Sequence, residues 1–516
     1  MKFPVDTSSF KSIREEGYIY VDKTKFVDML SKTGTYYFLA RPRRFGKSMF
    51  LKTLESYFKN ERHLFKGLAI DSLQPEEWQK YPVLSLNLTG KVYSEPDNLI
   101  NTLEEWIRKY EERYGIDNNI KDIDDRFYFL INQIYHLTSK KVVVLIDEYD
   151  APLTETIDNP TLQESYRGIL RGFYSVLKKA DDIIRFCMLT GVTRYGKVSI
   201  FSGLNNLNDI SFNNKYASIC GITEGELKTY YDDGVSRLAE IKGETVEKSY
   251  AILKHYYDGY HFSENMIDIY NPYSINHALD ACALKDYWCA SGAPGIFIKQ
   301  FMQTDYNIES LQGREVSETE LSNLSVYLTD PAPLLYQTGY LTLKSYNSED
   351  ELYTLGYPNR EVEKGLLNNV LSVYSPQKDT TTSIITSLKR SLLEGNPEMF
   401  VKYLRSYLAG IPHQLRENVA RYENYYHTII YCVLDLLGLS TNAEFSTAEG
   451  FIDLLVKTEK YIYVIELKIN GTAKDAIKQI EERHYCRPFE NDKRQMFKIG
   501  LGFSKETNTI ETSIIE

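Results

Sequence analysis

The chain has few cysteines for its 516 residues, and Cys187, Cys220, Cys282, Cys289, Cys432 and Cys486 form neither a CxxC pair nor a regular framework. That spacing excludes a zinc ribbon and a disulfide scaffold, and fits reduced thiols. Long apolar runs are missing as well. No stretch approaches the roughly 18 apolar residues that a membrane span needs, and the opening MKFPVDTSSFKSIREEGY lacks the apolar core of a signal peptide. A cytoplasmic location with no membrane partner is expected. Positive charge is in deficit overall: the net charge is −11, so a chain-wide polyanion-binding surface is excluded, because that affinity rests on clustered Lys and Arg. Internal repeats and low-complexity tracts are absent. His255, His261, His427 and His484 lack metal-ligand spacing and read as packing or surface residues.

What is present is enough apolar sequence, 43% of residues, to bury more than one core in a chain of this length. Two or three domains are expected. Short apolar strands at Tyr36–Ala40, Val83–Leu88, Val142–Ile146 and Ile184–Leu189 alternate with helical patterns at 99–114, 125–137 and 161–180, the order of an α/β domain with a parallel sheet. Residues 223 to 261 read as mostly helical and suit a lid. From Pro272 to about Asn396 the pattern is mixed, and a compact unit begins near Arg421.

Between the first strand and a helix at 49–58 lies Arg41-Pro42-Arg43-Arg44-Phe45-Gly46-Lys47-Ser48. Backbone N–H groups at a helix start form an anion site, where Lys47 reaches the β/γ-phosphates of a nucleotide and Ser48 ligates magnesium, with Gly46, Arg43 and Arg44 at the same anion. In GxxxxGK[ST] the first glycine falls at position 41, which here is arginine. The loop therefore follows another backbone path or borrows side-chain charge. Residues 1–60 hold 12 Lys and Arg against 6 Asp and Glu, a local excess suited to phosphate. The strand Val142–Ile146 ends in Asp147 and Glu148, which places Asp147 in a magnesium shell and Glu148 against the attacking water. The next strand ends at Thr190-Gly191-Val192-Thr193-Arg194, where Thr190 can sense the γ-phosphate and Arg194 can offset transition-state charge. ATP with Mg²⁺ is the expected ligand. An arginine such as Arg194, reaching a neighbour's γ-phosphate, would make self-association ATP-dependent.

The runs YVDKT at 20–24, RPRRFGKS at 41–48, LIDEYD at 145–150 and TGVTRYGKVSIFSGLNNLN at 190–208 resemble the AAA-ATPase-like family of bacterial proteins. The later segments YDGY at 257–260 and YNPYS at 270–274 resemble its lid region. The resemblance implies an arginine in the first-glycine position as the family's own form of the loop, and commonly a C-terminal domain of the PD-(D/E)xK nuclease superfamily.

The C-terminus carries a second constellation that is legible without the family. A helix at Glu423–Leu437, strands at about 442–447, 451–457 and 461–469, a helix at 473–485 and a strand at 496–503 give the order αβββαβ. Asp453 sits inside the second strand, and Glu466 and Lys468, two residues apart, share one face of the third. A carboxylate in an apolar strand is costly unless it is paired or binds metal. Asp453 and Glu466 can hold Mg²⁺, and Lys468 can orient the water that attacks a phosphodiester; Gln479, Tyr485 and Glu423 can support the metal or the phosphates. This is the D-x(12)-E-x-K pattern of PD-(D/E)xK enzymes. Residues 441–516 hold 11 Lys and Arg against 13 Asp and Glu, and Phe451 stands where the family has a basic residue. A structural ion-pair cluster is the bland alternative.

The expected architecture is an AAA-like P-loop core at 1–215, a helical lid at 216–290, a connecting region at 291–395 and a nuclease-like domain at 396–516. Two functions compete: an ATP-dependent nuclease acting on DNA or RNA, and a signalling or scaffold ATPase whose nuclease-like domain binds without cutting.

Overall fold

Strands buried on both faces are mainly apolar, and four such runs with one short polar strand at the edge build a parallel sheet. They are β1 (Tyr36–Ala40), β2 (Val83–Asn87), β3 (Val142–Asp147), β4 (Ile184–Gly191) and the short β5 (Asn208–Asp209), in the order β2-β3-β4-β1-β5. The computed structural model describes residues 2–76, 78–194, 200–201, 204, 206–291, 308–322, 330–374, 378–409, 431–433, 436, 439–447, 450–469, 471–504 and 509–516. Pairing runs from Tyr36↔Cys187 to Ala40↔Gly191 and from Val143↔Phe186 to Ile146↔Leu189, so the carboxyl ends of β1, β4 and β3 lie side by side. Ligands of open α/β sheets bind at that edge. β5, which pairs with β1, lacks the apolar run that would have announced it.

The helices Asp97–Tyr114, Ile123–Thr138 and Pro160–Lys179 share one core with β1 to β4, and the rings of Phe127 and Phe173 stack 4.4 Å apart. Local chemistry sets their ends. Asp122 accepts the first free N–H groups of the second helix, while Asn159 followed by Pro160 starts the third. Beyond the sheet, helices Glu224–Lys242 and Val246–Tyr257 fall inside the stretch expected to be helical. The first opens with a capping box, Thr223 and Glu226, and closes on Gly243 in the left-handed region. Glu226 also holds the buried Lys23 ammonium at 2.7 Å, tying this helix to the YVDKT run. β6 (Ile222–Thr223) and β7 (Ile269–Tyr270) pair beside it.

Contacts within the chain divide it into two units, Met1–Phe297 with Gln312–Glu363, and Ile298–Leu311 with Lys364–Glu516. The stretch that reads as mixed, from Pro272 to Asn396, thus contributes to both. In the first unit it supplies a small antiparallel sheet, β8 (Glu315–Ser317), β9 (Thr342–Asn347) and β10 (Leu352–Gly356), ordered β8-β10-β9, with the buried helix Ala332–Thr338 between β8 and β9.

The second unit holds a five-stranded sheet in sequence order: β11 (Ser440–Thr447), β12 (Gly450–Lys457), β13 (Tyr461–Ile469), β14 (Gln495–Ser504) and β15 (Thr509–Ile515). Only β13 and β14 are parallel, and the helix Ala473–Glu482 makes their crossover. Gly500 and Gly502 lie under its first turn, where a Cβ would come within 2.6 Å of the Ala473 carbonyl or 2.9 Å of its nitrogen. The glycines let helix and sheet approach. β15 is an addition to the expected order; its TIETSII run alternates weakly and does not stand out as a strand. The expected helix at 423–437 lies outside the described residues except for Tyr431–Val433 and Leu436.

Candidate functional site

At the carboxyl edge of the first sheet, residues 41–46 link β1 to the helix Lys47–Phe58, two residues longer at its start than its periodicity suggests. Gly46 takes φ 97° at the helix N-cap, a conformation that glycine adopts without strain. Arg41, in the first-glycine position, does not face the anion site. Its guanidinium is buried and donates to the carbonyls of Ala40 (2.9 Å), Ser211 (2.8 Å) and Tyr216 (3.4 Å), lying 4.1 Å from the Phe262 ring centroid. Burial pushes its pKa down to about 10. The arginine is thus an anchor that fixes the loop from behind.

In front of the loop, Arg43, Arg44, Gly46, Lys47, Ser48 and Glu148 line one cavity of about 650 Å³, within the range of small-molecule sites. The Lys47 ammonium lies 3.2 Å from Glu148 Oε1 and donates to the carbonyls of Arg41 and Pro42. Arg44 stacks on Tyr273 at 4.6 Å. Burial raises the Glu148 pKa, with Lys47 opposing the shift and Asp150 adding to it. Glu148 stands at φ 50°, a strained position for a non-glycine residue. Its neighbours hold it there: Tyr149 N donates to Thr190 O at 2.9 Å, and buried Asp150 accepts Val192 N, Thr193 N and the Thr193 hydroxyl.

Asp147 and Thr190 lie behind this wall. Thr190 Oγ1 donates to Asp147 Oδ1 at 2.7 Å, and Asn87 Nδ2 approaches Oδ2 at 3.3 Å. Arg194 is not brought to the cavity. It is buried in an ion pair with Asp209, stacked 4.8 Å from Phe212, and donates to Ser322 Oγ at 2.7 Å, so its charge is engaged within its own chain. The donor set around the loop fits a nucleotide: an ammonium, a hydroxyl and a helix start face the cavity, with a carboxylate one residue from Glu148.

In the second unit, ladder pairing between β12 and β13 runs as far as Leu454↔Ile465. Beyond it, side chains take over: Asp453 Oδ2 accepts Leu467 N at 2.7 Å, and Asp453 N lies 3.4 Å from Glu466 Oε2. Lys468 Nζ sits 3.0 Å from Glu466 Oε1. Burial, then the Asp453 charge, raises the Glu466 pKa to about 7 against the pull of Lys468. Two carboxylates crowded in this way repel each other, and a divalent cation relieves that repulsion, so the pair fits a metal. Among the described residues no group of three His, Cys, Asp or Glu is placed to hold one. Gln479 Nε2 donates to buried Tyr485 Oη at 3.2 Å. Phe451 is 60% exposed, and Glu423 lies outside the described residues.

The model of a family described as predicted AAA-ATPase matches residues 4–201, and that of the PD-(D/E)XK nuclease superfamily matches residues 421–513. The whole chain is also similar to an uncharacterised protein in the vnfD 5′ region of Azotobacter chroococcum mcd 1, 31% identical over 523 residues, covering 100% of this chain and 99% of the relative. This chain belongs to the AAA-ATPase-like family and ends in a PD-(D/E)xK superfamily domain. The AAA-ATPase-like sheet and the mixed nuclease-like sheet are the architecture that the sequence motifs imply. Among the described residues no helix is long and apolar enough to cross a membrane. Sequence reasoning missed the clamp of Thr193 on Asp150, although LIDEYD displays the acid. It also missed Asn87, for which a lone strand-end asparagine offers no signal.

Proposed function

We propose that this protein binds and hydrolyses ATP with Mg²⁺ in its first unit and cuts DNA or RNA phosphodiesters with a divalent cation in its second. The observation that carries the first half is the convergence of Lys47, Ser48 and Glu148 on one cavity. Lys47 would meet the terminal phosphates, Ser48 and Asp147 would hold the cation, and Glu148 would polarise water. Arg43 and Arg44 stand exposed at the cavity wall, available to phosphate oxygens. Thr190 orients Asp147. Bound ATP would draw Lys47 from Glu148 to phosphate and so free the carboxylate for water.

The second half rests on Asp453, Glu466 and Lys468 meeting at the splayed end of β12 and β13. Bound metal would lower the pKa of its water and stabilise the leaving oxygen. Asp453 and Glu466 would hold it, Lys468 would orient the water, and the Gln479–Tyr485 pair would brace the neighbouring helix. We assign the ATPase core to 1–215, the lid to 216–290, a connecting region to 291–395 and the nuclease-like domain to 396–516, in a cytoplasmic protein. Cleavage of single- and double-stranded DNA and RNA, with Mg²⁺ or Mn²⁺ and with or without ATP, tests this reading.

A second reading is favoured by the Lys468–Glu466 ion pair and the acidic balance of residues 441–516: a signalling or scaffold ATPase whose C-terminal domain binds nucleic acid or protein without cutting. Binding without cleavage in every metal and nucleotide state would select it. ATP-dependent self-association through Arg194 requires its ion pair with Asp209 to open; an unchanged mass by light scattering in saturating ATP and Mg²⁺ would reject it.

A further inference from the structure

The wall of the nucleotide cavity is not complete within residues 4–201. The buried helix Ala332–Thr338, far along the chain, reaches it with its C-terminal end. At its C-terminus Gly339 has φ 94°, and a Cβ there would lie 2.7 Å from Pro42 Cβ, so helix and nucleotide loop meet with no room for a side chain. The Gly339 carbonyl accepts Tyr260 Oη at 3.0 Å, and Thr338 and Tyr340 line the cavity itself. Directly before Thr338, buried Gln337 uses both ends of its amide: Oε1 accepts Arg194 N at 2.6 Å, and Nε2 donates to the Leu321 carbonyl at 2.5 Å.

Arg194 N follows directly on the clamp that holds the acidic end of β3. Thr193 grips Asp150 with its N–H and hydroxyl, and the Thr193 carbonyl accepts Tyr149 Oη at 2.9 Å. Tyr149 and Asp150 immediately follow Glu148, whose left-handed backbone persists only while its surroundings enforce it. The links run from Gln337 to Arg194, to Thr193, to Asp150 and so to Glu148, all within the first unit.

We propose that Gln337 is a positioning residue for ATP hydrolysis, holding the end of β4 so that Glu148 faces the attacking water. This rests on the ATPase reading above. Loss of the amide leaves Lys47, Ser48 and the helix start untouched, so it loosens Glu148 without removing a phosphate contact. Orientation of a water-activating group changes turnover more than binding.

The test uses the full-length protein, with ATP turnover and equilibrium binding of ATP·Mg²⁺ measured side by side. In Gln337→Met, of similar length and without polar atoms, kcat is expected to fall about tenfold or more. The ATP Kd should stay within about twofold. Gln337→Glu keeps the acceptor for Arg194 N and should recover most of that loss. Thr193→Val, which breaks the next link, should be non-additive with Gln337→Met on kcat. Should Gln337→Met fail to fold, Gln337→Ala alone and combined with Thr193→Val carries the same comparison. Wild-type kcat in Gln337→Met, parallel losses in kcat and Kd, or additive double-variant losses would overturn the assignment while leaving the ATPase reading in place. Absence of any ATP turnover by the intact protein would overturn both.

Discussion

Arg41→Gly puts glycine where phosphate-cradling loops ordinarily have it, and it should harm this protein. The guanidinium donates at good length to the Ala40 and Ser211 carbonyls and at 3.4 Å to Tyr216. Hydrogen bonds from a charged donor contribute about 1.5–3 kcal/mol each, and stacking on Phe262 adds up to about 2 kcal/mol in a desolvated setting. Against these stands the cost of burying the charge: burial pushes the guanidinium pKa down to about 10, which corresponds to about 3 kcal/mol. The favourable terms win, and glycine's greater unfolded-state freedom costs up to about 1 kcal/mol more. The first unit should lose about 4 kcal/mol of stability, as a balance of these terms. All three tryptophans, Trp78, Trp106 and Trp288, lie in that unit, so denaturant unfolding followed by tryptophan fluorescence reads it directly. ATP affinity should fall with it, because the loop loses its rear anchor. An unchanged denaturation midpoint with equal or tighter ATP binding would refute the anchor role.

Lys47→Ala should abolish ATP binding, whereas Glu148→Gln should retain ATP and block its hydrolysis; wild-type turnover in Lys47→Ala, measured by phosphate release, would displace the site. Asp453→Ala or Glu466→Ala should remove nucleic-acid cleavage and leave ATP turnover nearly intact, and Lys468→Ala should impair cleavage more than metal binding, since an ammonium is not a ligand; cleavage that survives Asp453→Ala in purified protein would rule this out. Asp258 is buried, and its pKa is raised from 3.8 to about 6, chiefly by that burial. Stability from this group is therefore full below about pH 4 and lost as pH rises through 6, by up to about 3 kcal/mol. Asp258→Asn should flatten that loss, and thermal melts from pH 4 to 7 that run parallel for both proteins would contradict it.

Much of the fold was legible because local rules and tertiary demands coincide. Val142–Ile146 is apolar at every position, as a strand covered on both faces requires, and Asp147-Glu148 at its end marks the ligand edge. The two-residue period of a strand by itself puts Glu466 and Lys468 on one face. β5 and β15 were not legible, since Asn208–Asp209 and TIETSII gain their strand character from the partners β1 and β14.

The sequence by itself determined which chemical groups are available and in what local frame. A lysine and serine start a helix after a buried strand, and three charged residues share two adjacent strands. The tertiary structure alone decided the destinations of three polar side chains: Arg41 turns to carbonyls 170 and 175 residues away, Arg194 turns to Asp209 and Phe212, and Gln337 turns to the end of β4. An arginine's long side chain can reach either a phosphate or a distant backbone oxygen. Which one it meets depends on what the folded chain brings within hydrogen-bonding distance, and no local pattern encodes that.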